Sequence, residues 1–174
     1  MKIAFYTLLA IIVLLCAVFG PRLAKDMRKK RSYENTFAIQ NMETGTCLRP
    51  KDAGYQNDVP LILYPHQNWE CITWQFIGLI DGTTLLKNLY SQRTFAPDRA
   101  PVAGITFSQC NLGGSALQQW VVEPDGEGIV RLRLSGSELY LTAPSAETNA
   151  RPVLQAKSGE DNQRWRLIPQ TPIV

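Results

Sequence analysis

Gln118-Gln119-Trp120-Val121-Val122 and Gln163-Arg164-Trp165-Arg166-Leu167-Ile168 are two copies of one phrase. Trp74-Gln75-Phe76-Ile77 is a third copy, which keeps the tryptophan but lacks the glutamine two places before it. The three tryptophans stand 46 and then 45 residues apart, and each leads into a short apolar piece that ends near a Pro, Gly or Asp turn. A fixed period of this size marks a supersecondary unit that is repeated along the chain.

Working outward, the copies also agree upstream. Phe37-Ala38-Ile39-Gln40-Asn41 lines up with Thr84-Leu85-Leu86-Lys87-Asn88, and more loosely with Ile129-Val130-Arg131-Leu132-Arg133. A second short strand is expected at Thr46-Cys47-Leu48, Thr94-Phe95-Ala96 and Leu139-Tyr140-Leu141. A third is expected at Leu61-Ile62-Leu63-Tyr64, Ile105-Thr106-Phe107 and Val153-Leu154. After residue 36 no stretch keeps a helical period, so the fold class is all-β with four strands per repeat. One such unit cannot bury its own apolar face, whereas three around an axis share a single core. The domain is placed at 37–174, with repeats at about 37–81, 82–127 and 128–170.

Ahead of it, Ile3 to Phe19 carries no charge and is followed by Gly20-Pro21. Residues 1–20 are therefore an apolar helix, serving as a signal peptide or a membrane anchor, and 21–36 a basic linker. Six basic residues between Arg22 and Arg31 would hold the C-terminal side in the cytosol if the segment stays as an anchor. A cleaved signal would place the domain outside the cell or in the periplasm; the favoured expectation is a secreted, periplasmic or outer-surface domain. The leader also explains the net charge. Residues 1–31 hold 7 of the 18 Lys and Arg and one of the 15 acids, leaving 11 basic and 14 acidic side chains in residues 32–174. A folded part with that balance lacks the basic footprint of a nucleic-acid binder.

The two Gln-x-Trp motifs, with Trp74 in register, resemble the repeats of ricin-B-type β-trefoil lectins over about residues 37–170. The resemblance implies a β-trefoil of three four-stranded repeats in which Trp74, Trp120 and Trp165 pack in the core and Gln118 and Gln163 brace a loop. It also implies where a sugar would sit: an aspartate two positions after the second-strand cysteine, an aromatic ring two positions before the second cysteine, and an asparagine before the Gln of the motif. No repeat is complete. The first has Tyr64 but Arg49 for the aspartate, and Cys71-Ile72 for Asn-Gln. The second has Pro97, Ser108 and Leu117, and keeps only Gln118. The third keeps Asn162 and Gln163, with Thr142 and Gln155 at the other two places, and so is the candidate carbohydrate site. The family's disulfide within each repeat is absent on this alignment, with Cys47 facing His66, Cys110 facing Phe95, and Tyr140 facing Lys157. Which of the three cysteines beyond the leader would pair is open. His66, the one histidine, is expected to pack or hydrogen-bond.

Phe37 to Leu48, the joint from Trp74 to Lys87, Thr106 to Cys110 and the proline-bearing tail Leu167 to Val174 are also similar to the accessory subunits A and C of cytolethal distending toxins. That resemblance implies a delivery or cell-binding subunit that works beside a nuclease subunit and a second trefoil. Tyr64, His66 and Trp69 would form its aromatic patch for a surface ligand, with Trp69 either in solvent or capping the bottom of the barrel. One histidine, no Cys/His metal spacing and an acid cluster, Glu123 to Glu127, that reads as a solvated turn between repeats give no catalytic residues, no metal and no cofactor, so an enzyme is not expected. Two functions remain: a module for glycans or host-cell surfaces, or a membrane-anchored protein-interaction scaffold whose sugar sites have decayed.

Overall fold

The computed structural model describes residues 33–172. The apolar segment and residues 21–32 of the basic linker lie outside the described residues, and with them the expected N-terminal helix. Among the described residues no helix is long and apolar enough to cross a membrane.

Twelve strands form, four per repeat. The first repeat holds β1 (Thr36–Asn41), β2 (Thr46–Pro50), β3 (Leu61–Pro65) and β4 (Thr73–Gly78). The second holds β5 (Thr84–Asn88), β6 (Thr94–Pro97), β7 (Phe107–Cys110) and β8 (Gln119–Pro124). The third holds β9 (Ile129–Leu134), β10 (Leu139–Thr142), β11 (Val153–Ala156) and β12 (Trp165–Pro169). The first and last strands of each repeat join into a ring, β1-β4-β5-β8-β9-β12 and back to β1, all antiparallel. Such closure leaves the barrel without a free edge. The middle strands pair as hairpins β2–β3, β6–β7 and β10–β11.

Those three hairpins are tied to one another in a cycle. Leu63 N donates to Ala150 O at 2.8 Å, Gln109 N to Val59 O at 2.8 Å, and Leu154 N to Ile105 O at 3.0 Å. Leu63, Gln109 and Leu154 are therefore equivalent, as are Val59, Ile105 and Ala150. The cycle corrects the sequence alignment in the second repeat. Its third strand runs at Phe107–Cys110 rather than Ile105–Phe107, and Cys110 lies opposite Thr94, not Phe95. In the third repeat the barrel strand shifts by one: Trp74 pairs with Asn88, Trp165 with Asn41, and Trp120 with Leu134, so Leu134 and not Arg133 matches the asparagines.

Trp74, Trp120 and Trp165 are fully buried, with Ile39, Leu48, Leu63, Leu86, Leu132 and Leu154 around them. Two of the indoles also anchor a hairpin. Trp74 Nε1 donates to Leu48 O at 2.9 Å and Trp165 Nε1 to Leu141 O at 3.0 Å. In the second repeat the corresponding residue is Phe95, whose ring packs on Trp74, Phe107 and Trp120 at centroid distances of 5.2, 5.6 and 5.4 Å. There Trp120 Nε1 is buried without a partner. Aromatic packing replaces the indole bond in that repeat.

Candidate functional site

Just before each core tryptophan the chain makes one turn of 3₁₀ helix: Glu70–Ile72, Ala116–Gln118 and Asp161–Gln163. The turn, the end of its hairpin and the loop between them form an outward corner in each repeat. The strand register makes Arg49, Ala96 and Thr142 equivalent, and likewise Tyr64, Cys110 and Gln155. Pro97 and Ser108 thus leave the two site positions of the second repeat, which Ala96 and Cys110 occupy. Counting back from each tryptophan adds Trp69, Ser115 and Glu160, then Cys71, Leu117 and Asn162, then Ile72, Gln118 and Gln163.

The third corner is open. A cavity of about 440 Å³ is lined by Thr142, Pro144, Gln155, Glu160, Asn162 and Gln163 among others. Gln163 is buried and its amide is committed to the loop. Its Nε2 donates to Thr142 Oγ1 at 3.0 Å and to Ala156 O at 2.8 Å, while its Oε1 accepts from Ser158 N at 2.8 Å. Thr142 is buried too, and its hydroxyl donates to Tyr140 O at 3.0 Å. These two residues therefore build the wall. Gln155 and Glu160 are exposed, and Asn162 Oδ1 is buried without a protein partner. Those three hold the corner's free hydrogen-bonding capacity. Glu160 was missed in the sequence, although its place five residues before Trp165, matching Trp69 before Trp74, was there to be counted.

The first corner has an apolar floor. Ile72, Cys71, Cys47 and Ala38 form a small buried apolar cluster, with Tyr64 and Ile168 against it. Arg49, only 6% exposed, lays its guanidinium 4.6 Å from the centre of the Tyr64 ring and donates from Nε to Pro50 O at 3.0 Å. Trp69 stands beside that ring, 6.4 Å between centroids, and at 37% exposed it lies at the surface against Tyr64 rather than capping the barrel. The loop is braced from outside the repeat. Gln170 Oε1 accepts from Thr73 Oγ1 at 2.6 Å, and its Nε2 lies 2.7 Å from His66 Nε2 and 3.3 Å from Gln67 O. His66 is exposed and hydrogen-bonded, as expected, and Gln170 supplies the loop support that Ile72 cannot.

The second corner offers little to a polar ligand. Gln118 braces it by accepting from Gly113 N and Gly114 N and donating to Asn111 O and Cys110 Sγ. The remaining positions are Ala96, Ser115 and an exposed Leu117. The cysteines Cys47, Cys71 and Cys110 are all free thiols. Burial pushes Cys47 up to about 12. Burial also raises Cys71, against an opposing pull from the Arg49 charge. Neither forms the thiolate that exchange chemistry needs at neutral pH.

Against known proteins, the geometry finds company in the fold. A designed three-fold symmetric protein, ThreeFoil, matches with a TM-score of 0.74 and 23% identity, covering 78% of this chain and 99% of that one. The Macrolepiota procera ricin B-like lectin, solved in complex with lactose, matches with a TM-score of 0.67 and 17% identity over 76% of this chain and 94% of its own. The Rhizoctonia solani agglutinin matches at 0.71 and 13% identity, over 78% and 95%. No curated protein sequence matches the chain. Residues 35–165 match the family described as the ricin-type beta-trefoil lectin domain, which indicates a non-catalytic module. Three repeats each with a buried core tryptophan, a closed barrel and that match over most of the chain make it a member of the ricin-type β-trefoil lectin domain family.

Proposed function

We propose that the chain is a carbohydrate-binding module whose sugar site is the corner of the third repeat. The observation that carries this is Asn162, which lines a cavity together with Gln155 and Glu160 and whose buried Oδ1 has no protein partner. Adjacent hydroxyls of a pyranose need closely spaced acceptors, and a polar atom left unpaired in a protein is one that a ligand can satisfy. The Glu160 carboxylate supplies the charged acceptor that Thr142 does not. The Macrolepiota lectin's lactose complex is consistent with sugar as the ligand class.

The finer reading, delivery of a toxin nuclease to a host cell, rests on the resemblance of Phe37 to Leu48 and of the tail, with Tyr64, His66 and Trp69 as its surface patch. It goes with export through the N-terminal segment. The test is a panel of neutral glycans and intact host cells, offered to the full-length chain and to its Asn162→Ala, Gln155→Ala and Trp69→Ala variants. Glycan binding lost in Asn162→Ala and reduced in Gln155→Ala is the expected result. Cell binding lost only in Trp69→Ala would favour the delivery role. Wild-type protein that folds and binds neither would overturn the carbohydrate reading in favour of a protein-interaction scaffold.

A further inference from the structure

We infer that the corner of the first repeat is a second ligand site, and that it takes an acidic saccharide. Arg49 is the residue that asks for one. It is buried to 6% exposure and has no ion pair among the described residues. Its Nε is satisfied by Pro50 O, whereas its two terminal nitrogens have no protein acceptor and still touch solvent. A cation withdrawn from water without an ion-pair partner is costly, and the cost falls when a ligand brings the counter-charge, although Glu70 stands in the neighbouring turn. The Tyr64 ring, 4.6 Å away, holds the guanidinium by a cation–π contact, while Nε is bonded to Pro50 O and the terminal nitrogens are left for a ligand. A guanidinium is a planar fork of donors, and its terminal nitrogens are matched to a carboxylate.

The neighbours specify more than a bare anion. Trp69, at the place of Glu160 in the third repeat, stands partly exposed against the same Tyr64 ring on which Arg49 packs, and offers an apolar face in that corner. A sugar ring carrying a carboxylate meets both surfaces at once: its C–H face lies on the indole and its acid group on Arg49. Lys51, exposed at the position of Pro144, adds a second positive charge. The two corners thus differ in the charge they hold at equivalent positions. The third presents Glu160 and suits neutral polyols, and the first presents Arg49 and Lys51. The inference shares with the proposed function the premise that the domain binds saccharides, but uses none of the third corner's residues.

The experiment is titration of the full-length chain with glucuronate, galacturonate and N-acetylneuraminate, each against its neutral counterpart and against acetate. Calorimetry serves all variants; tryptophan fluorescence serves those that keep Trp69, since the other three indoles are fully buried. At least one acidic sugar should bind tenfold or more tighter than its neutral counterpart and than acetate. That preference should vanish in Arg49→Gln, weaken in Arg49→Lys and Trp69→Ala, and survive in Asn162→Ala. If Arg49→Gln fails to fold by thermal melting, the other two first-corner variants decide. Equal binding of acetate, or of a peptide with a free C-terminal carboxylate, would overturn the inference, as would indifference to Arg49→Lys and Trp69→Ala. Failure of every acidic sugar overturns it as well. Loss in Asn162→Ala alone would return the ligand to the third corner, sinking this inference while the proposed function stands.

Discussion

The first and third corners are built on the same backbone and held by different physics. In the third, an amide braces the loop: Gln163 ties Ala156 and Ser158 to Thr142 and leaves space above. In the first, the equivalent Ile72 is packed among Ala38, Cys47 and Cys71, and the bracing comes from Gln170 in the tail. The difference continues behind the hairpins. Behind β10–β11 stands a charged lattice, in which Glu123 accepts from Arg133 Nε at 2.8 Å and from the Tyr140 hydroxyl, with Lys157 Nζ 3.5 Å away. The corresponding residues behind β2–β3 are Ile168, Gln40, Cys47 and His66. A repeated fold can therefore keep its shape while each corner changes what it offers a ligand.

The largest effect should come from breaking the apolar corner. Ile72 is fully buried, so Ile72→Ala should cost about 2–5 kcal/mol of stability, through lost burial and the cavity left behind. Gln163→Ala should cost less, about 1–3 kcal/mol, because it strands the Ser158 amide and the Ala156 carbonyl. Denaturant unfolding of the two variants measures both. The sharper expectation is their split on binding: Gln163→Ala should also abolish neutral-sugar binding, and Ile72→Ala should leave it intact in the folded fraction. Equal stability losses, or loss of sugar binding in both, would mean that the corners are not independently supported.

A smaller effect tests how each corner is seated on the barrel. Asn41 Nδ2 donates to Asn162 O at 2.9 Å, and Asn88 Nδ2 donates to Cys71 O at 2.9 Å. Each asparagine also accepts from backbone amides in the turn that follows it. The third equivalent is Leu134, beneath the second corner, which has no such tie. Asn41→Leu and Asn88→Leu should each cost about 1–2 kcal/mol by leaving buried polar groups unpaired. Asn41→Leu should weaken ligand binding at the third corner only, and Asn88→Leu at the first only. Thermal melts with binding titrations on the same samples would check both.

Much of the fold was legible because its signals are local. The tryptophan period, the turn residues and the strand-length apolar pieces identified the repeats, the all-β class and the buried indoles. The second repeat misled because register is not local. Phe107 reads as the end of an apolar run with Ile105, and only the hydrogen-bond cycle among hairpins shows that Phe107 opens the strand and that Gln109 takes the place of Leu63 and Leu154. The sites were half legible. Asn162 and Gln155 stood at positions the family pattern names, but whether Gln163 faces a ligand or its own loop depends on bonds to Ser158 and Ala156. Arg49 looked like the loss of an acceptor. Its significance as a buried cation without an ion pair among the described residues depends on Tyr64 and Pro50, which only the folded chain brings to it.

The smallest expected effect concerns pH and separates the two hairpins by their backing. Burial alone would raise the Glu123 carboxyl, but the bonds from Arg133 and Tyr140 and the Lys157 charge outweigh it and hold it below the ordinary carboxylate range. A carboxyl lowered on folding contributes stability above its unfolded value of about 4.5, and loses it as pH falls through the lower folded value. Because Glu123 is partly exposed, the contribution is at most about 1 kcal/mol and is weakened by salt. Amide-exchange protection of β10–β11 should therefore fall between pH 7 and pH 3 more than that of β2–β3, whose backing of Ile168, Gln40, Cys47 and His66 holds no carboxylate ion pair to lose. Glu123→Gln should remove the difference at pH 7. Equal loss in both hairpins of the unaltered chain would show that the charged lattice is incidental, and that the apolar barrel beneath alone sets the stability of both corners.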